Sequence, residues 1–118
     1  MFQNDLFNIV NLDFTSETIS AEIKLNADHF IFNGHFPGSP VTPGVVQLQI
    51  VKEILEQYLS RNLQMKTMRT CKFLKVINPE ETPYIQIDIK FKQEEYLEVI
   101  TSGTHDGNVY FKAQISYV

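Results

Sequence analysis

The chain has 118 residues, of which 43% are hydrophobic and 20% charged, and its formal net charge is −4. This length is typical of one compact domain, and so low a charged fraction excludes a disordered chain. The acidic balance argues against nonspecific binding to nucleic acid. Because the chain also lacks a secretory-signal pattern and any run of about 18 apolar residues, we expect one cytoplasmic domain over residues 1–118, with no nucleic-acid or membrane partner.

Two strands are predicted before the first loop. In residues 18–25 apolar and polar side chains alternate with the period of two that marks a strand with one buried face. The positions expected to be buried are Ile19, Ala21, Ile23 and Leu25. Residues 7–14 form a less regular strand candidate ahead of them.

A loop rich in proline and glycine follows, over residues 34–44. It holds three prolines and three glycines among eleven residues, so its backbone is restricted to a fixed shape. Within it, His35 is the one side chain that titrates naturally near neutrality, which suits it to take up or release a proton at cellular pH.

One helix is predicted after this loop. Apolar residues recur at steps of three and four from Val45 to Tyr58. Thr42 is expected to cap the helix with its hydroxyl, Pro43 to occupy the first helical position, and Asn62 to lie near the end. Since the first turns are apolar nearly all round, other structure must cover them.

The remainder of the chain predicts further strands, over residues 68–77, 84–92, 96–101 and 109–118. The pair Asp106 and Gly107 is typical of a tight hairpin between the last two strands. Five to six strands and one buried helix predict an α+β fold, in which an antiparallel β-sheet wraps around one long central helix.

The loop and the helix start together suggest a chemical site. Gly44 lies in the first helical turn, where free backbone amides and the positive end of the helix dipole can polarise a carbonyl oxygen. With His35 as the base, the pair forms a minimal site for removing the proton next to a thioester carbonyl. The single cysteine, Cys71, is in keeping with a reducing compartment, and no metal or organic cofactor is expected.

The segment that begins at His35 and ends at Val45 reads His-Phe-Pro-Gly-Ser-Pro-Val-Thr-Pro-Gly-Val. It closely resembles the signature of the 3-hydroxyacyl-[acyl-carrier-protein] dehydratases of the hotdog fold. The likeness extends to residues 30–34 and 72–79, and residues 45–48 are similar to members from aryl-polyene and flexirubin-type pathways. It implies a hotdog fold and a dimer whose two sheets join edge to edge, with two sites at the interface.

The resemblance also implies roles for individual residues. His35 would be the catalytic base, the Val41 carbonyl would orient its ring, and the Gly44 amide would hold the thioester oxygen. Phe36 and Pro37 would shape the substrate entrance. The expected substrate-binding residues are Phe36, Pro37, Val41 and Val45.

One catalytic position departs from the family pattern. The family has Glu or Asp fourteen residues after the histidine, whereas this chain has Gln49. An amide can donate a hydrogen bond but cannot deliver a proton, and loss of a general acid costs about 10² to 10⁴ in rate. Three interpretations stay open: His35 performs both proton transfers, a water relay replaces the carboxyl, or the protein binds acyl chains without dehydrating them. Glu53, one helical turn further on, is expected to be a solvated charge.

Five basic residues form a stripe within residues 57–79, a stretch that contains no acidic residue. A basic surface would attract acyl carrier proteins, which are strongly acidic. The other interpretation is an ordinary solvated face. The expected carrier-docking residues are Arg61, Lys66, Arg69, Lys72 and Lys75.

The sequence therefore predicts a hydro-lyase that removes water from 3-hydroxyacyl thioesters of acyl carrier protein or CoA. The product would be the trans-2-enoyl thioester, in fatty-acid or polyene-type lipid biosynthesis. A homodimer or higher homo-oligomer is expected. Two alternatives stay open: a noncatalytic acyl-thioester-binding subunit that pairs with an active homologue in a heterodimer, and a hotdog thioesterase.

Overall fold

The computed structural model describes residues 2–33 and 40–118. Within them it has six strands, one α-helix and one short 3-10 helix. In chain order these are β1 (Phe7–Phe14), β2 (Thr18–Leu25), the 3-10 helix (Phe30–Phe32), α1 (Gly44–Leu59), β3 (Met65–Phe73), β4 (Tyr84–Gln93), β5 (Leu97–His105) and β6 (Asn108–Tyr117).

All six strands belong to one sheet, in the order β1-β2-β4-β5-β6-β3. Every neighbouring pair in this sheet is antiparallel. The strands β1 and β3 are the two edges, and β3 reaches its edge by a crossover, because β6 lies between it and the β4–β5 hairpin. The predicted α+β architecture with an antiparallel sheet is confirmed.

The core forms where α1 packs on one face of this sheet. The period-two pattern predicted for β2 holds, since its four alternate apolar residues are buried. In β4 the isoleucines at 85, 87 and 89 are buried in the same way. From α1, Val46, Ile50, Val51, Ile54 and Leu55 contribute to the same core cluster. Removal of this apolar surface from water stabilises the fold.

The helix begins differently from the prediction. Pro43 is the N-cap, and no side chain caps the helix, so the prediction that the Thr42 hydroxyl is the cap is wrong. The backbone amide of Thr42 donates to the Ile77 carbonyl at 2.9 Å. This pairing places Thr42 in the interior, where its Oγ1 is buried and bonds to no described residue.

Two other boundaries differ. The helix ends at Leu59, with Ser60 in the left-handed conformation, rather than near Asn62. The strand β3 spans Met65–Phe73, three residues earlier than the predicted start and four short of the predicted end. Beyond Phe73 the chain leaves the sheet, because the amides of Leu74 and Lys75 both donate to the Tyr110 carbonyl.

The covering of the helix is incomplete. Most side chains of its first turns are buried, but Val45 is 78% exposed. No helix among the described residues is long and apolar enough to cross a membrane.

Candidate active site

Three of the predicted site residues, His35, Phe36 and Pro37, lie in the segment 34–39, outside the described residues. Their roles therefore stay predictions. The structure describes the helix start, which supplies the other predicted residues: Val41, Gly44, Val45 and Gln49.

The first helical turn presents free backbone donors. The Pro43 carbonyl accepts from the amides of Val46 and Gln47, both at 3.1 Å. Within the described residues no hydrogen bond is made by the amides of Gly44 and Val45, in a position where helix geometry leaves them without an intrahelical acceptor. Two unoccupied N–H groups at the positive end of a helix dipole are suited to bind an anionic or strongly polarised oxygen.

The side of Gly44 is covered by an aromatic ring. A Cβ atom at this position would lie 2.6 Å from Cζ of Phe73. Glycine thus allows the end of β3 to approach the helix start closely. Phe73 is half exposed, as is Leu74 beside it, and Val76 is more exposed still, so the helix start is bordered by accessible apolar surface.

The predicted site residues of α1 share an accessible face. Val45 and Gln49 are one helical turn apart, and both are accessible, whereas Val46, Gln47 and Leu48 between them are buried. The structure therefore brings the Gly44 amide, Val45 and Gln49 together on one side of the helix. Val41, two residues before the cap, is partly exposed.

Glu53 is not the solvated charge that the sequence predicted, since it is 7% exposed. One of its oxygens, Oε2, accepts a hydrogen bond from Nε2 of Gln49 at 3.0 Å. Its carboxylate also accepts from the backbone amides of Phe2, at 2.8 and 3.0 Å, and Gln3, at 3.0 Å. The spacing of four residues between Gln49 and Glu53 was visible in the sequence, but the contact with the N-terminal segment was not.

These contacts decide the ionisation of Glu53. Burial raises the pKa of the carboxyl, but its hydrogen bonds, among them those from Gln49 and from the amides of Gln3 and Phe2, together lower it by more. The net result is a pKa below the ordinary value of 4.5. Glu53 is therefore a carboxylate at neutral pH.

A second buried amide supports the helix start from inside. Nε2 of Gln47 donates to the Thr42 carbonyl at 3.0 Å. Its Oε1 is buried and bonds to no described residue. Thr42 and Gln47 border a small internal cavity between α1 and the sheet. The other residues that line this cavity are apolar. No local pattern indicates that Gln47 faces inward.

The five predicted carrier-docking residues are all exposed, but four of them already have partners within the chain. Arg61 donates to Gln93 and Arg69 pairs with Glu98 at 3.3 Å. The ammonium groups of Lys66 and Lys75 lie over tyrosine rings, at 5.6 and 5.9 Å from the ring centres. Lys72 has no such partner among the described residues.

Lys72 instead faces a second lysine. In the β3–β6 register its direct neighbour is Lys112, whose neighbour on β5 is Ser102. Like charges directly opposite each other destabilise a sheet. Both lysines line a groove of about 720 Å³ that crosses the sheet and also contains Lys90. Lys112 lies 40 residues from Lys72 in the chain, so the sequence stripe could not include it.

Among the described residues no group of three or more His, Cys, Asp or Glu side chains could hold a metal ion. Cys71 is partly buried and reduced, and burial raises the pKa of its thiol.

The helix cradled by a six-stranded antiparallel sheet defines a hotdog fold. The structure of the dehydratase heterocomplex ApeI:P from Xenorhabdus doucetiae matches with a TM-score of 0.82 at 17% identity, over 93% of this chain and 96% of that one. A protein from Erwinia carotovora subsp. atroseptica matches with a TM-score of 0.66 at 24% identity, over 95% and 91% of the two chains. Likeness at these identities shows the fold, and the predicted hotdog architecture is confirmed.

Sequence comparison gives the family. Residues 11–110 match the model of the ApeI-like family, described as ApeI dehydratase, and the chain belongs to this family. A 3-hydroxyacyl-[acyl-carrier-protein] dehydratase FabZ from Latilactobacillus sakei is 25% identical over 105 residues, which cover 83% of this chain and 75% of the relative. A FabZ from Fusobacterium nucleatum is 22% identical over 115 residues, or 93% and 82%. The predicted dehydratase resemblance is confirmed, and the family match is consistent with the aryl-polyene subgroup.

Proposed function

We propose that this protein removes water from a 3-hydroxyacyl thioester, held on a carrier protein or CoA, and releases the trans-2-enoyl thioester. One observation carries the proposal: in a chain of a dehydratase family, the amides of Gly44 and Val45 at the helix start, beside Gln49, bond to none of the residues that the structure describes. An oxygen that gains negative charge during reaction is stabilised by such donors.

In this mechanism the His35 imidazole takes the proton from C2 of the substrate. The electron pair delocalises onto the thioester oxygen, which the Gly44 amide holds. The C3–O bond then breaks as the C2=C3 double bond forms, and the departing hydroxyl takes up a proton and leaves as water. Val41 and Val45, with Phe36 and Pro37, would border the acyl chain, and no cofactor takes part.

The direct test is to incubate the purified protein with a 3-hydroxyacyl thioester and to follow the absorbance of the conjugated enoyl product. We expect His35→Ala to fall to the background rate, while His105→Ala, in the β5–β6 hairpin, keeps the wild-type rate. A wild-type rate equal to that of His35→Ala would refute the dehydratase proposal. Release of free thiol without enoyl product would identify a thioesterase instead.

We also propose that the protein works with a second hotdog subunit joined at β3. This edge strand is exposed along nearly its whole length and carries exposed Met65, Met68 and Phe73. Unpaired, partly apolar edges favour association with another strand. Native mass spectrometry would give the oligomeric state, and a monomer would contradict the proposal.

The identity of the second subunit separates the enzyme from the noncatalytic alternative. Gln49 in place of a carboxylate favours that alternative, in which this chain would pair with a homologue that bears the acid. The chain should then be inactive alone, and co-expression with such a homologue should give a heterodimer that loses activity when the homologue's own acid is removed. Activity of the isolated homo-oligomer would instead support the enzyme.

Finally, we propose that the acyl group is delivered by an acidic carrier protein that contacts the basic surface around Lys72. Of the five cations predicted for this contact, Lys72 is the one with no hydrogen-bond, ion-pair or aromatic partner among the described residues. Lys112 and Lys90 line the same groove, where Asp88 is the single acidic residue, so positive charge is in excess there. Complementary charge accelerates encounter with an acidic partner.

A further inference from the structure

The hydrogen bond between Gln49 and Glu53 fixes which end of the Gln49 amide faces the helix start. An ionised carboxylate can only accept hydrogen bonds. If the amide were turned over, Oε1 of Gln49 would lie 3.0 Å from Oε2 of Glu53, and two acceptors would face each other. The amide nitrogen must therefore point to Glu53.

The positions of the two residues on the helix give the direction of the Gln49 amide group. Glu53 lies one turn towards the C-terminus from Gln49, so the NH₂ group points that way. The carbonyl oxygen Oε1, bonded to the same carbon as the nitrogen, is then directed away from the Glu53 carboxylate, and no described residue forms a hydrogen bond with it.

We infer that Glu53 is a positioning residue, which turns the Gln49 carbonyl oxygen towards the substrate so that Gln49 accepts a hydrogen bond from the 3-hydroxyl group. This inference rests on the proposed dehydration. In this role Gln49 accepts a hydrogen bond, whereas the Glu or Asp that the family has at this position would donate a proton.

The role of acceptor has a chemical consequence. An amide oxygen that holds the 3-hydroxyl orients the C3–O bond but supplies no proton. The proton that His35 removes from C2 is then the one that its imidazolium returns to the departing hydroxyl. One base performs both transfers, the leaving group is water, and atoms and charge balance without a second acid. Of the three interpretations left open by the sequence, this arrangement favours the first.

The surroundings of Glu53 make the orientation durable. The carboxylate is held by the amides of Phe2 and Gln3 as well as by Gln49, and it is buried. Its charge persists at neutral pH, because these hydrogen bonds outweigh burial and lower its pKa. The N-terminal segment thus helps to hold the Glu53 carboxylate that orients the Gln49 amide.

Glu53→Gln tests the inference, with Glu56→Gln as the matched control. Glu56 is on the same helix and its Oε2 also accepts a backbone amide, that of Leu63 at 2.9 Å, but it makes no hydrogen bond to Gln49. In Glu53→Gln the residue at 53 can donate or accept, so the Gln49 amide loses its fixed direction. We expect kcat to fall by about 10- to 100-fold, the scale of a mispositioned catalytic group, with KM changed far less. Glu56→Gln should keep the wild-type kcat.

A spectroscopic measurement gives a second readout that does not need turnover. The Gln49 side-chain amide protons, assigned by their loss in Gln49→Ala, should resonate at a shifted position in the wild type. That shift should disappear in Glu53→Gln and remain in Glu56→Gln. Loss of the shift together with a lower kcat would link the amide orientation to catalysis, whereas loss of the shift at a wild-type kcat would show that the hydrogen bond is structural alone.

Gln49→Met covers the case in which Glu53→Gln does not fold, because it leaves the Glu53 carboxylate and its donors Phe2 and Gln3 in place. It removes the amide oxygen that would accept from the 3-hydroxyl, and kcat should fall by about 10- to 100-fold. A wild-type kcat in Glu53→Gln, or an unmoved Gln49 resonance, would overturn the inference. An inactive wild type would refute the dehydration itself, and the resonance would still report the amide orientation.

Discussion

At the scale of single residues, the proposed chemistry depends on the hydrogen-bonded pair Gln49 and Glu53. Considered alone, Gln49 is an amide at a position where the family has a carboxylic acid. Bound to a buried carboxylate it becomes an oriented dipole, with its nitrogen fixed and its oxygen available. Because of this contact, replacing Gln49 by Glu would restore a carboxyl group but would also change the ionisation of Glu53.

Gln49→Glu would place two carboxylates about 3 Å apart, at the distance that Gln49 and Glu53 now occupy. Like charges so close cannot both ionise easily, so the pair should share a proton and one pKa should rise. We expect the pH–rate profile of this variant to be shifted to higher pH on its acid-requiring limb, with higher kcat near neutrality than the wild type. An unchanged profile would show that position 49 does not meet the substrate.

The lowered pKa of Glu53 links its ionisation to stability. A carboxyl whose pKa is lower in the folded than in the unfolded chain stabilises the fold above the unfolded value, here about 4.5. That contribution is lost as the pH falls through the lower, folded pKa. Urea unfolding from pH 7 down to acid should therefore show a loss of stability below about pH 4.5 that is smaller in Glu53→Gln. Identical pH dependence in both proteins would contradict the assignment.

At the scale of elements, the sheet determines which substitutions the chain tolerates. Two glycines illustrate this. Gly103 on β5 is directly opposite Phe111 on β6, and a Cβ there would collide with the ring. Gly44 at the start of α1 meets the ring of Phe73. The rings differ in freedom, because Phe111 is 1% exposed and Phe73 is 49% exposed.

Gly103→Ala should therefore destabilise the fold by about 1–3 kcal/mol, the usual cost of overpacking a core. Gly44→Ala is the matched comparison: its exposed ring can swing away, and the cost should stay below about 1 kcal/mol. Chemical denaturation of both variants measures the difference. Equal losses of stability would mean that the Phe111 ring moves as readily as that of Phe73.

At the scale of the whole molecule, the basic surface proposed for carrier docking combines lysines from different strands. The protein is acidic overall, yet Lys72 and Lys112 sit side by side on β3 and β6. Arg69, by contrast, is offset by Glu98. Net charge therefore says little about how the protein would meet the proposed acidic carrier, and the positions of the individual charges say more.

Lys72→Glu combined with Lys112→Glu should raise KM for a carrier-bound substrate about 10-fold or more at low salt, and the effect should shrink as salt is added. The rate with a short thioester that lacks a carrier should be unchanged. Lys24→Glu with Lys52→Glu, two exposed or partly exposed lysines outside this groove, is the control of equal charge. An equal rise in KM in the control would show that the effect comes from net charge and not from the groove.

Much of the fold was predictable because its signals are local. Alternation along β2 and β4 predicted strands whose buried faces are confirmed, and three- and four-residue steps predicted α1. The end of β3 was misplaced because three of the four residues at 74–77 are apolar, and composition alone cannot tell a strand from a segment whose amides bond to the Tyr110 carbonyl. Thr42 was misjudged as a cap for a similar reason: its suitability is local, but its pairing with Ile77 is not.

By itself the sequence determined the class of fold and the dehydratase family, since each depends on patterns within a few neighbouring positions. Only the tertiary structure decided that Glu53 is a buried carboxylate, because two of its donors, Phe2 and Gln3, lie about fifty residues away. It likewise set Lys72 against Lys112, through a strand order that places β6 beside β3. Contacts between distant segments depend on which surfaces the chain buries together, and no local pattern records that choice.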